Sequence, residues 1–444
     1  MDQNPDEPSK QRLLRALMDV QRRRLRGAGT PPRGLTPPPP IEMAKTQADE
    51  KEKEVPKEKP KATTPPPATT PERSHPATLS KKTITQTSSR RKSSATPKKV
   101  PKKKVPIKRE VLAEGDTVQS EAFTWRVIKL LGSGGFGDVY KVAKHNDPDK
   151  TESAMKTEMV LGDRRLLRLK IEVMVLMKCH EQTDPNHKQH FVAFVDRGKT
   201  AKFKFLVMGL VGKSLEDIRR DILGHNYSRS TVIQCSLQTL AAVQDLHGLG
   251  YLHRDIKPQN YAVGLGEKQN TVYMLDFGIA RKFTVGDTKE VKIARAKVSF
   301  LGTVRFASRA CHKCLEQGRK DDLESWIFMV FELFDDAHGL PWKRAPRNKV
   351  VPLKEKFFKN QIPRCYKVVP ADFKRIVTYI DEMRYADEPD YVYITNSLNA
   401  IAKENKIDLR RKLDWIGVVP KPVKKRRQKE EVSSDNRQSG SESD

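Results

Sequence analysis

Tyr251-Leu252-His253-Arg254-Asp255-Ile256-Lys257-Pro258-Gln259-Asn260 is followed, after a polar connection, by Tyr273-Met274-Leu275-Asp276-Phe277-Gly278, which starts as an apolar strand pattern. The two segments fit one chemistry. Asp255 is a carboxylate placed to accept the proton of a substrate hydroxyl. Lys257, two residues on, is a cation that balances the γ-phosphate of a nucleotide. The amide oxygen of Asn260 and the carboxylate of Asp276 are hard oxygen ligands suited to magnesium. Phosphoryl transfer depends on positioning and charge neutralisation more than on covalent chemistry, and these side chains offer both.

Upstream, residues 229–249 carry Val232, Ile233, Leu237, Leu240, Ala241 and Leu246 at a helical period. Further upstream stands Leu131-Gly132-Ser133-Gly134-Gly135-Phe136-Gly137-Asp138-Val139-Tyr140. Glycines let a backbone approach phosphate oxygens and present N–H donors to them. A dinucleotide fold would follow such a loop with a helix. Here Val139-Tyr140-Lys141-Val142 alternates as a strand does, so a strand–loop–strand flap over phosphates is expected. A second strand carries Ser153-Ala154-Met155-Lys156, and residues 166–179 read as a helix containing Glu172. Lys156 would hold the α- and β-phosphates if Glu172 fixes it. The alternative is a surface lysine and a solvent-facing glutamate.

Composition bounds the rest. The chain has 444 residues and a formal net charge of +29. Residues 1–118 hold 27 basic and 14 acidic groups, 18 of the 29 prolines and no aromatic residue; the first aromatic is Phe123. Such a segment buries too little apolar area to offset the ordering of its backbone, so a disordered basic arm is expected there. The first ten residues are polar and acidic, unlike a signal peptide. The most apolar run, 326–334, is too short to cross a membrane and reads as a buried core helix. Five cysteines without a secretory signal point to free thiols. Cys311-His312-Lys313-Cys314 has no second Cys-x-x-Cys to complete a zinc site. His187 and His190 read as solvated loop residues.

Within the arm, 11–25 spaces Leu13, Leu14, Leu17, Met18 and Leu25 among arginines, either as a transient helix or as a docking helix for an acidic partner or anionic membrane surface. Runs 37–40 and 65–67 favour polyproline conformations. Arg90-Arg91-Lys92-Ser93-Ser94, the lysines of 98–104 and the cluster 424–429 attract phosphates and acidic surfaces and look like nuclear import signals. With no aromatics among these charges, nucleic-acid binding by the arm would be weak. The serines of the last six residues are candidate phosphorylation targets.

Glycine loop, strand lysine, His-Arg-Asp-x-x-x-x-Asn and Asp-Phe-Gly occur here in the order of the protein kinase signature set. From about residue 120 to 416 the chain resembles a eukaryotic serine/threonine protein kinase. Where most kinases carry Ala-Pro-Glu, this chain has Leu301-Gly302-Thr303-Val304-Arg305-Phe306-Ala307-Ser308-Arg309-Ala310, which resembles the casein kinase 1 superfamily. Gly318-Arg319-Lys320-Asp321-Asp322-Leu323-Glu324-Ser325, Leu340-Pro341-Trp342 and Glu388-Pro389-Asp390-Tyr391 are similar to that superfamily too. Leu413-Asp414-Trp415 and Gly302-Thr303-Val304-Arg305-Phe306 look most like its tau-tubulin kinase branch.

The resemblance implies an α+β, bilobal kinase domain over 119–416. Its N-lobe (119–209) would be an antiparallel sheet plus the Glu172 helix, and its C-lobe (210–416) mainly helical. A disordered arm (1–118) and tail (417–444) would flank it. ATP and Mg2+ would occupy the cleft. Gly132, Gly134 and Gly137 would cover the phosphates, Lys156 would anchor them with Glu172 behind it, and Met208 would be the gatekeeper of the adenine pocket. Asp255 would be the base, with Lys257 beside it, and Asn260 and Asp276 the metal ligands. Two departures stand out: Gly209 follows Met208 where the family often has an acidic residue, and Ser308-Arg309-Ala310 replaces Ser-Ile-Asn or Ser-Val-Asn.

The expected function is transfer of the ATP γ-phosphate to protein serine or threonine hydroxyls near acidic or phosphorylated residues. Arg305 and Lys354 are candidates for an anion pocket beside the site, and the domain's positive charge would steer acidic peptides to it. Protein substrates, cytoskeletal ones included, a monomeric state, and a cytoplasmic or nuclear location are expected. The alternatives are a pseudokinase scaffold, and a kinase localised by a basic, polymer-binding arm.

Overall fold

The computed structural model describes residues 111–134, 137–147, 151–160 and 168–418. The readings of the arm up to residue 110 and of the tail from 419 lie outside the described residues. So does Leu166, the expected start of the Glu172 helix.

The first part of the fold is a six-stranded antiparallel sheet of order β1-β2-β3-β4-β6-β5. Its strands are β1 (Thr117–Gln119), β2 (Thr124–Gly134), β3 (Gly137–Lys144), β4 (Glu152–Met159), β5 (Phe194–Lys199) and β6 (Phe203–Gly209). Alternation builds it. Trp125 and Val127 in β2 and Tyr140 and Val142 in β3 are buried on one face, while Arg126 between the first pair is exposed. Helix α1 (Leu169–His180) follows β4 and buries Leu169, Val173, Val175, Leu176 and Cys179. Glu158 at the end of β4 accepts hydrogen bonds from the backbone N–H groups of Arg168 and Leu169, satisfying donors that a helix start leaves unpaired.

The sheet begins before the compositional boundary at 119. Thr117 to Gln119 pair with Arg126 to Thr124, and the Leu112 N–H donates to the Tyr140 hydroxyl (3.1 Å). This edge has no aromatic of its own. It borrows Tyr140 and Trp125, which composition cannot show.

After Gly209 the architecture is mainly helical. Helix α2 (Arg229–Gly248) starts at Ser228, whose Oγ accepts from the Thr231 N–H. Two small antiparallel pairs follow. β7 (Tyr251–Leu252) pairs with β10 (Arg281–Lys282), and β8 (Tyr261–Val263) pairs with β9 (Val272–Met274). They fix the ends of the two segments quoted first. Helix α3 (Arg319–Phe334) is buried from Asp321 to Phe334, so the apolar run 326–334 is a core helix. Against it pack α2, α4 (Arg347–Phe358) through Phe357 and Phe358, and α5 (Phe373–Glu382), while α6 (Tyr391–Glu404) packs on α2 and α5. Phe328, Phe331, Trp342 and Phe357 meet edge to face in this core. Leu413-Asp414-Trp415 closes the fold: the Asp414 carboxylate accepts from Ser228 N–H and Oγ, and Trp415 Nε1 donates to the Gln269 carbonyl.

No helix among the described residues is long and apolar enough to cross a membrane. All five thiols are free, and no group of three or more His, Cys, Asp or Glu side chains that could hold a metal ion occurs among the described residues. His187 is exposed beside Asp245, as read. His190 is not: it is buried, with Nδ1 2.9 Å from the Val272 carbonyl, because its own carbonyl accepts from Met274 N–H and joins it to β9.

Candidate active site

The hairpin of β2 and β3 places Gly134 opposite Gly137. Gly137 has φ 146°, and a Cβ there would lie 1.7 Å from the Thr157 carbonyl oxygen, so only glycine fits. A Cβ at Gly132 or Gly134 would meet nothing within 4 Å. Packing among the described residues does not explain those two glycines; close approach of another molecule to the backbone would.

Lys156 lies in β4 between Val139 of β3 and Leu206 of β6. Its Nζ is 2.7 Å from Glu172 Oε2 and 2.9 Å from Asp276 Oδ1. Glu172 is buried, which removes the solvent-facing alternative. Burial works against the charge on Lys156, but the two carboxylates outweigh it and hold the ammonium well above the usual lysine range. Burial likewise opposes the charge on Asp276, and Lys156, helped by His253 and Lys257, still holds that carboxyl below its usual range. Met208, the penultimate residue of β6, lies opposite Ala154, buried in the core, and the Gly209 N–H is taken by the Ala193 carbonyl.

The catalytic segment hangs from α3. Asp322 accepts from the backbone N–H groups of His253 (2.7 Å) and Arg254 (2.8 Å) and contacts His247 Nε2 (2.9 Å). Burial opposes the Asp322 charge, yet His247, His253 and the Arg254 amide hold the carboxyl below its usual range. Arg254 and Asp276 both adopt left-handed backbone conformations, at φ 67° and 63°. The two segments then lock together. His253 Nδ1 lies 3.2 Å from the Asp255 amide and Nε2 lies 3.0 Å from the Leu275 carbonyl, and Leu275 N–H donates to the Asn260 carbonyl.

Asp255 is held through both oxygens. Oδ1 accepts from Thr303 N–H (2.9 Å) and Oγ1 (2.8 Å), and Oδ2 accepts from Lys257 Nζ (2.6 Å). Lys257 also donates to Thr303 Oγ1 (3.0 Å), while Asn260 Nδ2 donates to the Asp255 carbonyl (2.8 Å). Fixing the amide nitrogen of Asn260 on the Asp255 carbonyl leaves its oxygen as an acceptor. An amide oxygen and an ionised carboxylate suit a hard divalent cation. Two contact sets result, Glu172–Lys156–Asp276 and Asn260–Asp255–Lys257–Thr303, and the Leu275 N–H on the Asn260 carbonyl joins the segments that carry them.

Beside Asp255 opens a depression of about 470 Å³ bordered by Lys257, Thr303, Arg305 and Lys343. Arg305 Nη1 is 2.8 Å from Glu332 Oε1, and Trp342 Nε1 donates to the Arg305 carbonyl (2.8 Å). Lys354 is not part of this surface, contrary to the sequence reading. It is completely buried and faces the underside of the same segment, because α4 turns it toward Phe328 and Trp342 rather than to solvent. Arg309, the residue that departs from the family pattern, makes ion pairs with Glu324 (2.8 Å), Asp381 (2.6 Å) and Glu355 (3.4 Å). Gly302 is forced: its φ is 119°, and a Cβ would lie 2.8 Å from the Arg254 carbonyl.

Sequence reasoning gave no role to Thr303 or Asp322. Asp322 left a signal, since an acidic residue opening a helix of continuous core residues must find hydrogen-bond donors. Thr303 stood inside a quoted motif with nothing to mark its hydroxyl.

Fold and site together have the make-up of a nucleotide-dependent phosphotransferase. The protein kinase domain pattern matches residues 125–374. The putative serine/threonine-protein kinase ZK507.3 of Caenorhabditis elegans is 36% identical over 298 residues, which is 66% of this chain and 74% of that relative. The putative serine/threonine-protein kinase ZK507.1 of the same organism is 38% identical over 268 residues, 60% of this chain and 79% of the relative. The serine/threonine-protein kinase spe-6, also from C. elegans, is 36% identical over 312 residues, 67% of this chain and 76% of the relative. The chain therefore belongs to the protein kinase family, among the serine/threonine protein kinases. Domains of this family use ATP and a divalent metal ion and act on protein substrates.

Proposed function

We propose that the chain transfers the γ-phosphate of ATP to serine and threonine hydroxyls with Asp255 as the base. The observation that carries this reading is the double grip on Asp255: Thr303 fixes one carboxylate oxygen and Lys257 the other, beside the open depression. A hydroxyl entering there meets an oriented proton acceptor. The Lys257 ammonium stands next to that acceptor and favours negative charge on the transferring group. Lys156, held by Glu172 and Asp276, anchors the nucleotide phosphates beneath the hairpin of Gly132, Gly134 and Gly137, with Met208 at the adenine end. Asn260 and Asp276 would hold magnesium, which when bound neutralises phosphate charge. Phosphoamino-acid analysis of peptides labelled by the full chain is the test. The expected result is phosphoserine and phosphothreonine with wild type and neither with Asp276→Asn. Wild type that binds nucleotide without transfer would favour the pseudokinase scaffold.

We further assign the chain to the casein kinase 1 superfamily, near the tau-tubulin kinase branch, on the residues 301–310, 318–325 and 413–415. Preference for acidic or phosphorylated substrates would come from Arg305, which lines the depression while bound to Glu332. Arg305→Glu is expected to lower activity on phospho-primed peptides more than on unprimed ones; equal losses would remove the anion pocket. In this reading the enzyme is a monomer of the cytoplasm or nucleus, and the basic arm localises it. Redistribution in cells on deleting residues 1–118, with peptide kinetics unchanged, would support the localising role.

A further inference from the structure

We propose that Lys354 is a positioning residue for the protein substrate: from beneath segment 303–307 its ammonium holds the carbonyls of Val304 and Ala307 and so sets the shape of the surface that receives a peptide beside Asp255. The proposal rests on the reading of that segment as the peptide-facing wall.

Lys354 projects from α4 into the core and is 0% exposed. Its Nζ donates to the Val304 carbonyl (3.1 Å) and the Ala307 carbonyl (2.5 Å) and lies 3.2 Å from His312 Nε2. It stands over the rings of Phe328 (4.8 Å) and Trp342 (5.4 Å). No carboxylate makes a salt bridge with it among the described residues. A buried ammonium without a counter-ion is costly, and a methionine would fill the same volume without that cost. What an ammonium adds is charged donors for the two carbonyls, with His312 Nε2 facing it and lying 3.1 Å from the Val304 carbonyl. Both carbonyls belong to the segment that begins at Thr303, whose N–H and hydroxyl grip Asp255. With Trp342 Nε1 on the Arg305 carbonyl, three carbonyls of residues 304–307 are held from the α4 side.

The same environment makes the grip titratable. Burial lowers the Lys354 pKa to about 7, against the opposing influence of Glu324 and Cys311. His312, whose Nε2 lies 3.2 Å from Nζ and 3.1 Å from the Val304 carbonyl, is lowered to about 4 by burial, by Lys354 and by Arg347 against the Val304 carbonyl, so near neutrality it is uncharged. As pH rises through about 7 the amine loses its charge, and its hydrogen bonds to the two carbonyls lose their charge assistance. Peptide affinity therefore falls as pH rises. The effect on folding has the opposite sign. A lysine whose folded pKa is depressed destabilises the fold below that pKa, and the cost fades as pH rises.

The test is steady-state kinetics of the full chain on an unphosphorylated, histidine-free peptide, at pH values on both sides of about 7. Wild type is expected to show a peptide KM that climbs above that pH and an ATP KM that does not. K354M is expected to raise peptide KM about tenfold, the worth of one charge-assisted hydrogen bond, with ATP KM unchanged and the pH dependence gone. An unchanged peptide KM in K354M, or peptide and ATP KM rising together, would overturn the proposal. If K354M does not fold, the wild-type profile decides: a peptide KM flat with pH refutes it. Absence of any transfer by wild type would be a failure of the kinase reading instead.

Discussion

On the nucleotide side of the cleft Lys156 sits between two carboxylates, Glu172 and Asp276; on the peptide side Lys354 sits between two carbonyls and an imidazole. Both are lysines in the interior of the domain, and both hold a wall of the same site. The first is held charged by its partners, above the usual lysine range. The second is brought to the edge of neutrality. An ammonium matched by carboxylates is a fixed anchor. An ammonium matched by carbonyls is a cation the pH can remove. In the proposed reading, the wall facing the nucleotide is thus constant and the wall facing the peptide adjustable.

Breaking the fixed anchor should have the largest effect. Lys156→Met leaves Glu172 buried without its cation, and a loss of about 3–5 kcal/mol of stability is expected in denaturant unfolding, with turnover abolished. Adding Glu172→Gln should recover much of that stability and none of the activity. Full recovery of activity in the double variant would mean that Lys156 does not anchor phosphate.

The peptide wall also has fixed tethers, among them Arg309 on Glu324. Glu324 is 0% exposed and is also reached by Lys320. Arg309→Ala is expected to cost about 1.5–3 kcal/mol, less than the first change because Lys320 remains. Burial opposes the Glu324 charge, yet Lys320 and Arg309 hold its pKa below the usual value. A carboxyl depressed in the folded state contributes stability above its unfolded pKa and loses it as pH falls through the folded one. The gap between wild type and Arg309→Ala should therefore narrow in acid; a gap independent of pH would show that the ion pair is not its source.

The smallest change sharpens the boundary between the walls. Thr303→Val keeps the backbone donor to Asp255 and removes the hydroxyl that bridges Asp255 and Lys257. A fall in kcat of about tenfold is expected with melting temperature unchanged. No change in kcat would assign the orientation of Asp255 to Lys257 and the backbone alone.

These two walls were not equally legible in the sequence. The sheet, the glycine hairpin, the Glu172 helix and the segment 251–278 could be read because their residues lie close along the chain in patterns that chemistry requires. Even the partnership of Lys156 with Glu172 follows from a strand and the helix after it. Lys354 was read as a surface cation because α4 also carries Arg347, Lys349 and Lys356, and composition does not say which of four bases turns inward. His190 read as solvated because nothing nearby in sequence announces its bond to Val272. Arg309 stood out as a departure from the family pattern, but its partners Glu324, Glu355 and Asp381 come from three different helices, α3, α4 and α5. Tertiary contacts of that kind leave no local period.

The measurement closest to the central claim compares wild type with Asp255→Asn in calorimetry with magnesium nucleotide and in transfer of labelled phosphate to a serine peptide. Both proteins should release heat on nucleotide binding, and Asp255→Asn should transfer phosphate about 10²–10⁴-fold more slowly. Equal transfer by the two proteins would contradict the assignment of Asp255 as proton acceptor. Loss of nucleotide binding in Asp255→Asn alone would contradict the separation of the two walls.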